Sequence, residues 1–242
     1  MGSEERWYTP RFYQELQATG DSAREILPLI IELIKPTSII DLGCGTGQWL
    51  AAALKLGIDD VLGVDGPWVL KSKLAIPREK FLAHDLGQSL KLSRRFDLAL
   101  SLEVAEHFAP SQARSLVELL CGAADRVLFS AAIPGQGGRH HLNEQWPSYW
   151  AAIFRQCGYA CFDIVRPRLW QNPRVLWYYA QNCLLFAPAG SANLGLPTDP
   201  LPLVHPSLWS SQVATMNSFG KLIERLPKAF CELFRHQANR HS

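Results

Sequence analysis

The amino-acid sequence predicts an α/β fold in which helices cover both faces of a mostly parallel sheet. Residues 38–47 form an apolar, strand-like run that ends in an acid and alternating glycines. Glycines at that place let the chain turn tightly and approach a ligand. Further short apolar runs alternate with helical patterns, as expected for parallel strands joined by helices. With 242 residues, of which 48% are hydrophobic, the chain is long enough for one such domain with additions.

Charge and cysteine usage disfavour several functional classes. The 24 basic and 22 acidic residues leave a net charge of +2, which indicates no surface for nucleic acid. Six cysteines without a Cys-x-x-Cys pair indicate buried free thiols in a reducing compartment, and no metal site is expected at Cys157 and Cys161. No signal pattern begins the chain, and no apolar stretch reaches the roughly 20 residues of a membrane span. We therefore expect a cytoplasmic protein without a metal, a membrane or a nucleic-acid partner.

Residues 1–37 are expected to form an N-terminal helical lid. Aromatic side chains around Pro10, including Tyr13, are too dense for a disordered leader, and Tyr13 is a candidate substrate contact. A helix is expected to begin at Ser22, because Ser22 and Glu25 have capping-box spacing and apolar residues follow at helical intervals. Lys35-Pro36 should end this helix.

The glycines after the first strand distinguish between kinds of ligand. A dinucleotide fingerprint requires G-x-G-x-x-G, but Gln48 stands at the position of the third glycine, which weakens that interpretation. The motif Asp-x-Gly-x-Gly-x-Gly instead resembles the first motif of class I S-adenosylmethionine-dependent methyltransferases. This resemblance implies that the acid helps to hold the amino-acid end of the cofactor, with these residues at the cofactor: Asp41, Gly43, Gly45 and Gly47. The helix from Gln48 to about Leu56 would direct its N-terminal amides at the ligand.

The second and third strands also end in acids. Asp65 closes the strand 61–65 and precedes Gly66. An acid at this place accepts hydrogen bonds from ribose hydroxyls in both nicotinamide and S-adenosylmethionine sites. The third strand, residues 80–86, ends in Asp85-Leu86. The resemblance implies that Asp85 meets the adenine amine while Leu86 packs on the ring.

The fourth strand, residues 96–101, is followed by Glu103-x-x-Glu106-His107. This arrangement resembles the fourth-strand motif of small-molecule methyltransferases, in which the segment lies beside the sulfonium. The resemblance implies that Ser101 and Glu103 lie on the cofactor side.

The fifth strand, residues 126–131, leads through a glycine-rich loop into residues 141–150, His-Leu-Asn-Glu-Gln-Trp-Pro-Ser-Tyr-Trp. This phrase resembles one found in a bacterial subfamily of class I methyltransferases, and it implies a fold and a cofactor but no substrate. A loop that leaves the carboxyl edge of the sheet faces the substrate side. The candidate substrate contacts are Gln145, Trp146 and Tyr149. Alternatively, Trp146 and Trp150 form the buried face of the next helix.

The sixth and seventh strands, residues 159–165 and 182–187, complete a Rossmann-like, seven-stranded sheet whose last strand is antiparallel, as in the family that the sequence resembles. The segment between them carries three arginines that are able to clamp a carboxylate or phosphate: Arg166, Arg168 and Arg174. Solvated loop arginines are the alternative. We expect residues 38–187 to form the methyltransferase core. Residues 188–242 should form a linker, up to Pro206, and a helical extension with two short helices within about residues 216–237, which docks on the core or on a partner in a homodimer.

The resemblance implies methyl transfer from S-adenosylmethionine to a small molecule, with a hydroxyl or carboxylate oxygen favoured as acceptor and natural-product or glycan biosynthesis as a setting. Removal of a hydroxyl proton suits a histidine near neutral pH. The candidates, in order, are His141, His107 and His140. A carboxylate acceptor would need no base. The alternatives left open are a non-catalytic cofactor-binding scaffold, a nicotinamide-dependent oxidoreductase and a methyltransferase for nucleic acid or protein.

Overall fold

The computed structural model describes residues 10–217, and the side chains of residues 18–217 except that of Ala192. The helices are α1 (Pro10–Ile34), α2 (Gln48–Lys55), α3 (Ala113–Ala123), α4 (Pro147–Gln156), α5 (Arg166–Leu169), α6 (Trp177–Asn182) and α7 (Pro206–Asn217). The strands are β1 (Ser38–Leu42), β2 (Asp60–Asp65), β3 (Phe81–Ala83), β4 (Leu98–Leu102), β5 (Val127–Ser130), β6 (Tyr159–Phe162) and β7 (Leu184–Pro188).

The seven strands form one sheet in the order β3-β2-β1-β4-β5-β7-β6. Strands β1 to β5 pair in parallel, whereas β7 is antiparallel to both of its neighbours, β5 and β6. The predicted Rossmann-like sheet with an antiparallel last strand is therefore confirmed. The chain runs outward from β1 to β3 on one side and from β4 onward on the other, so β1 and β4 flank a crevice at their carboxyl ends where such sheets bind ligands.

The sheet is buried on both faces, as its continuous apolar strands predict. All five residues of β1 and of β4 are buried. Val117 of α3 and Phe154 of α4 belong to the hydrophobic cluster on one face. Ile26 and Ile30 of α1 belong to a second cluster together with residues of α2. Helices on both faces are thus confirmed.

The predicted start of the first helix at Ser22 is wrong, because α1 begins at Pro10. Ser22 lies inside this helix, where its hydroxyl donates to the carbonyl of Ala18 at 2.9 Å and accepts the amide N–H of Leu176 at 2.9 Å. A serine in a helix interior commonly bonds to the carbonyl four residues earlier. Glu25 accepts hydrogen bonds from Asn172 and Arg174. The two residues that formed the predicted capping box therefore tie α1 to a distant loop.

Several predicted strand ends are too long. Strand β3 ends at Ala83, so Asp85 and Leu86 lie in the following turn rather than at the end of the strand. Asp97, predicted inside the fourth strand, precedes β4 and caps residues 37 and 38 from outside the strand. Asp85 therefore lies just beyond the carboxyl end of β3, and Asp97 lies just before the amino end of β4.

The chain divides at Leu203 into two compact units. The first contains the sheet and α1 to α6, and the second contains α7, a helix in a stretch for which we predicted no element. The terminal helices predicted for residues 216–237 lie almost entirely outside the described residues. Within the described part, no helix has the length and apolar character needed to cross a membrane. The division into lid, core and extension stays a prediction.

Candidate active site at the carboxyl edge of the sheet

The glycine loop between β1 and α2 has left-handed backbone at Gly43, Gly45 and Gly47, with φ of 92°, 53° and 84°. A Cβ added at Gly43 would lie 2.4 Å from the side chain of Val104, and one at Gly47 would lie 2.9 Å from Ile76. A Cβ at Gly45 would meet no atom within 4 Å. The outer two glycines are therefore required by packing, whereas the middle one faces open space in which a ligand fits.

Two carboxylates lie behind this loop. Asp65 accepts the N–H of Gly45 through Oδ2 at 2.7 Å and the N–H of Gly66 through Oδ1 at 2.6 Å. Burial raises the pKa of Asp65 and outweighs these hydrogen bonds, which lower it. Asp41 is 2% exposed, and among the described residues its Oδ2 has no hydrogen-bond partner. Burial and the charge of Asp65 raise the pKa of Asp41 well above its usual range.

The turn after β3 lies beside the end of β2. Ala83 pairs with Asp65 in the sheet, and the N–H of His84 donates to the backbone carbonyl of Asp65 at 2.7 Å. Asp85 follows, and its carboxylate accepts the N–H of Gly87 at 2.8 Å. Asp85 and Leu86 therefore lie in the turn that follows the strand paired with the end of β2, on the side where the sequence resemblance puts the adenine.

A polar network that sequence reasoning missed surrounds Glu103. Its carboxylate accepts hydrogen bonds from Gln136 at 2.7 Å and from Asn182 at 3.1 Å, and its N–H donates to Ser130. Glu103 itself has positive φ, 56°. Burial raises its pKa although these bonds oppose the rise. Ser101, the other predicted residue here, is completely buried, and its Oγ has no partner among the described atoms.

Next to this network, Glu106, His107 and His141 converge. One potential ligand atom from each of the three lies within 4.8 Å of those of the other two. The rings of His107 and His141 meet edge to face with centroids 5.0 Å apart. The backbone carbonyl of Glu106 accepts the N–H groups of Leu142 and Asn143 at 2.7 and 3.0 Å, so the loop that carries His141 is fixed against the loop that carries His107.

Hydrogen bonds orient both histidine rings. His141 Nδ1 lies 2.9 Å from a carboxylate oxygen of Glu144, and the His141 side chain is only 12% exposed. His107 Nδ1 lies 3.3 Å from the backbone carbonyl oxygen of His140. Burial and the neighbouring His141 lower the pKa of His107. His140 has φ of 57° and contributes its backbone carbonyl to this arrangement.

The aromatic phrase after the loop divides between core and surface. Trp150 is 2% exposed and packs on Phe129 with ring centroids 5.3 Å apart. Trp146, by contrast, is 36% exposed. Tyr149 is half-buried and meets Trp150 edge to face, and Gln145 donates to Asn143 at 3.0 Å. The predicted buried helix face therefore holds for Trp150 and not for Trp146.

The three arginines between β6 and β7 are engaged within the protein. Arg166 is 1% exposed, and its guanidinium binds the carboxylate of Asp163 at 2.5 Å. Arg168 donates to the carbonyl of Ile164. Arg174 is exposed and pairs with Glu25. Tyr13 lies in α1, but its side chain is outside the described part of the structure.

The sheet order, the glycine loop after β1 and the carboxylate at the end of β2 define a class I S-adenosylmethionine-dependent methyltransferase. A family model described as a methyltransferase domain matches residues 13–152. The chain belongs to this family, and this membership decides against the nicotinamide-dependent oxidoreductase.

Solved structures share the fold at low sequence identity. The methyltransferase domain of bacterial CtHen1-C is 18% identical with a TM-score of 0.52, over 69% of this chain and 97% of that chain. Human N-acetylserotonin methyltransferase, solved in complex with S-adenosylmethionine, is 16% identical with a TM-score of 0.51, over 72% of this chain and 55% of that chain. A comparison with curated protein sequences finds no match.

Proposed function

We propose that this methyltransferase methylates a hydroxyl oxygen of a small-molecule acceptor. One contact carries the proposal. Val104 packs so closely on Gly43 that a Cβ there would overlap with it. The loop that carries Glu106 and His107 therefore lies directly against the glycine loop, and proton-accepting side chains stand next to the space for the methyl donor.

The residues at the glycine loop fit S-adenosylmethionine. Asp41 offers a buried oxygen without a partner among the described residues, and Gly45 borders open space. Asp65 accepts two backbone N–H groups and a hydrogen bond from the Trp68 side chain, which leaves acceptor capacity for a ribose hydroxyl. When bound, this cofactor supplies a methyl group that is already activated by a positively charged sulfur. The remaining work of the protein is to position the acceptor and to remove its proton.

The engaged arginines favour a hydroxyl over a carboxylate acceptor. A carboxylate needs no base but needs a cationic partner, and the predicted partners were Arg166, Arg168 and Arg174. Arg166 is buried on Asp163, and Arg168 and Arg174 bind groups of the protein. A hydroxyl acceptor instead uses what the site does offer, two oriented histidines.

His141 is the first candidate to take the hydroxyl proton. Its Nδ1 is held by Glu144 at 2.9 Å, so Nε2, which packs against the backbone of Gly138, is the nitrogen left to take the proton. A carboxylate in this position fixes the ring and stabilises the protonated form. The half-buried Tyr149 and the exposed Trp146 stand a few residues further along the same segment, and we propose that they and Gln145 bind the acceptor.

Titration calorimetry with S-adenosylhomocysteine, S-adenosylmethionine and NAD tests the cofactor. We expect both sulfur ligands to bind and NAD to give no heat. Heat with NAD alone would overturn the proposal. For the acceptor, hydroxyl compounds of natural-product and glycan type would then be screened for formation of S-adenosylhomocysteine. Turnover with carboxylic acids and not with alcohols or phenols would refute the hydroxyl assignment.

A further inference from the structure

The geometry points to a divalent transition-metal site formed by Glu106, His107 and His141. One oxygen or nitrogen atom of each lies within 4.8 Å of the others, a spacing that a single ion with bonds of about 2.0 to 2.2 Å can bridge after small side-chain adjustments. The inference rests on the proposed function, because the ion would hold the acceptor oxygen.

The outer contacts of the two histidines match those of metal ligands. A histidine that binds a metal through one ring nitrogen usually donates the other N–H to a carboxylate or a backbone carbonyl. His141 Nδ1 contacts the Glu144 carboxylate, and His107 Nδ1 contacts the His140 carbonyl oxygen. Both rings therefore have Nε2 left for an ion.

Glu106 gives an independent indication. Its side chain is 1% exposed, and Oε2 has no hydrogen-bond partner among the described residues. A buried carboxylate oxygen without a partner is costly unless an ion or a donor completes it. The neighbouring acid, Glu103, differs because Gln136 and Asn182 occupy its two oxygens.

The donor set selects the kind of ion. Two imidazoles and one carboxylate suit first-row transition dications, whereas Mg²⁺ and Ca²⁺ prefer oxygen donors alone. Three protein ligands also leave coordination positions open, as at catalytic metal sites. An acceptor oxygen bound at an open position would lose its proton more readily. The proton would pass to a water molecule while the methyl group passes from the sulfonium to the oxygen, so in this arrangement His141 would act as a ligand of the ion and not as the free base.

Cobalt titration of the full-length chain, treated with EDTA and then freed of chelator, tests the site. We expect one Co²⁺ per chain with visible absorption bands, and no such bands in Glu106→Gln or His141→Ala. Glu144→Gln should bind Co²⁺ about 10- to 100-fold more weakly, since it removes only the outer contact. His205→Asn is the matched control, because it removes a histidine that is not part of this cluster and keeps an acceptor for the N–H of Ser207; it should bind like the wild type.

Melting curves recorded without metal show whether the variants still fold. Because Glu106 has an unpaired buried oxygen, Glu106→Gln should melt no lower than the wild type without metal, while losing the stabilisation that Co²⁺ gives the wild type. Equal cobalt binding by the wild type and both ligand variants would overturn the site, as would an equal loss of cobalt binding in His205→Asn. Binding of S-adenosylhomocysteine without cobalt binding would refute the metal alone. Cobalt binding without S-adenosylhomocysteine binding would instead refute the proposed function.

Discussion

Replacement of Asp65 tests the carboxylate at the end of β2, which supports the glycine loop and is proposed to bind the ribose of the cofactor. In Asp65→Ala, the N–H groups of Gly45 and Gly66 lose their acceptor, and the ribose hydroxyls lose theirs. The loss of hydrogen bonds from the ribose to this charged acceptor should cost about 1.5 to 3 kcal/mol in total. We therefore expect the affinity for S-adenosylhomocysteine to fall by about 10- to 150-fold, measured by titration calorimetry.

Asp65→Asn gives a sharper test of the geometry. The wild-type carboxylate uses one oxygen for each N–H donor, whereas the asparagine amide has a single oxygen and turns its own donors toward the second N–H. Asparagine should therefore weaken binding nearly as much as alanine. Asp60→Asn is the matched control, because Asp60 starts the same strand and makes only an exposed pair with Arg94. Wild-type affinity in Asp65→Asn would refute the ribose assignment and the role given to the end of β2.

Three further changes test other parts of the account. Gly45→Ala and Gly57→Ala both put a methyl group into open space at positive φ, so both should lose about 1 to 2 kcal/mol of stability. Only Gly45→Ala should abolish cofactor binding. Equal cofactor binding by the two variants would show that no ligand occupies the space at Gly45. Burial raises the pKa of Asp41. A cofactor amine that binds the ionised carboxylate should therefore displace a proton from Asp41, and affinity should rise with pH. Calorimetry in buffers of different ionisation enthalpy measures this proton release, and proton uptake on binding would contradict the prediction. Asp97→Ala removes hydrogen bonds to residues 37 and 38 that lower the pKa of Asp97. It should therefore lower the free energy of unfolding by about 1 to 3 kcal/mol. Urea titrations should show that this loss becomes smaller as the pH falls below about 4, where the carboxylate becomes protonated.

The parts of the structure that could be predicted from the sequence are those with local signals. Buried parallel strands are short apolar runs, and the glycines after β1 mark a turn that no other residue fits. Gly43 shows why the signal is reliable, since a side chain there would overlap Val104. The carboxylates at 41 and 65 follow from their places at the ends of neighbouring strands.

The parts that could not be predicted depend on contacts between distant segments. Ser22 and Glu25 have the spacing of a capping box, but the helix continues through them and they bind residues 172–176 instead. The sequence predicts a loop arginine at position 166, but the Arg166 side chain is buried and pairs with Asp163. Asn182 reaches Glu103 only because α6 packs near the end of β4.

The cluster of Glu106, His107 and His141 could be predicted from the sequence only in part. His107 and His141 are candidates from the sequence, because each follows the carboxyl end of a strand, whereas Glu106 is not. Their convergence could not be predicted, since it depends on the backbone bonds from Leu142 and Asn143 to Glu106. Sequence spacing could not reveal this ligand set, because His107 and His141 are 34 positions apart in the chain.

Methyl transfer itself tests the central claim most directly. The measurement is transfer of a labelled methyl group from S-adenosylmethionine to the hydroxyl compounds of a metabolite extract, by the wild type and by His141→Ala. We predict a labelled product with the wild type and a kcat lower by about 10²- to 10⁴-fold in the variant, with binding of S-adenosylhomocysteine preserved. Transfer at the wild-type rate by His141→Ala, or no labelled product with any acceptor, would contradict the account.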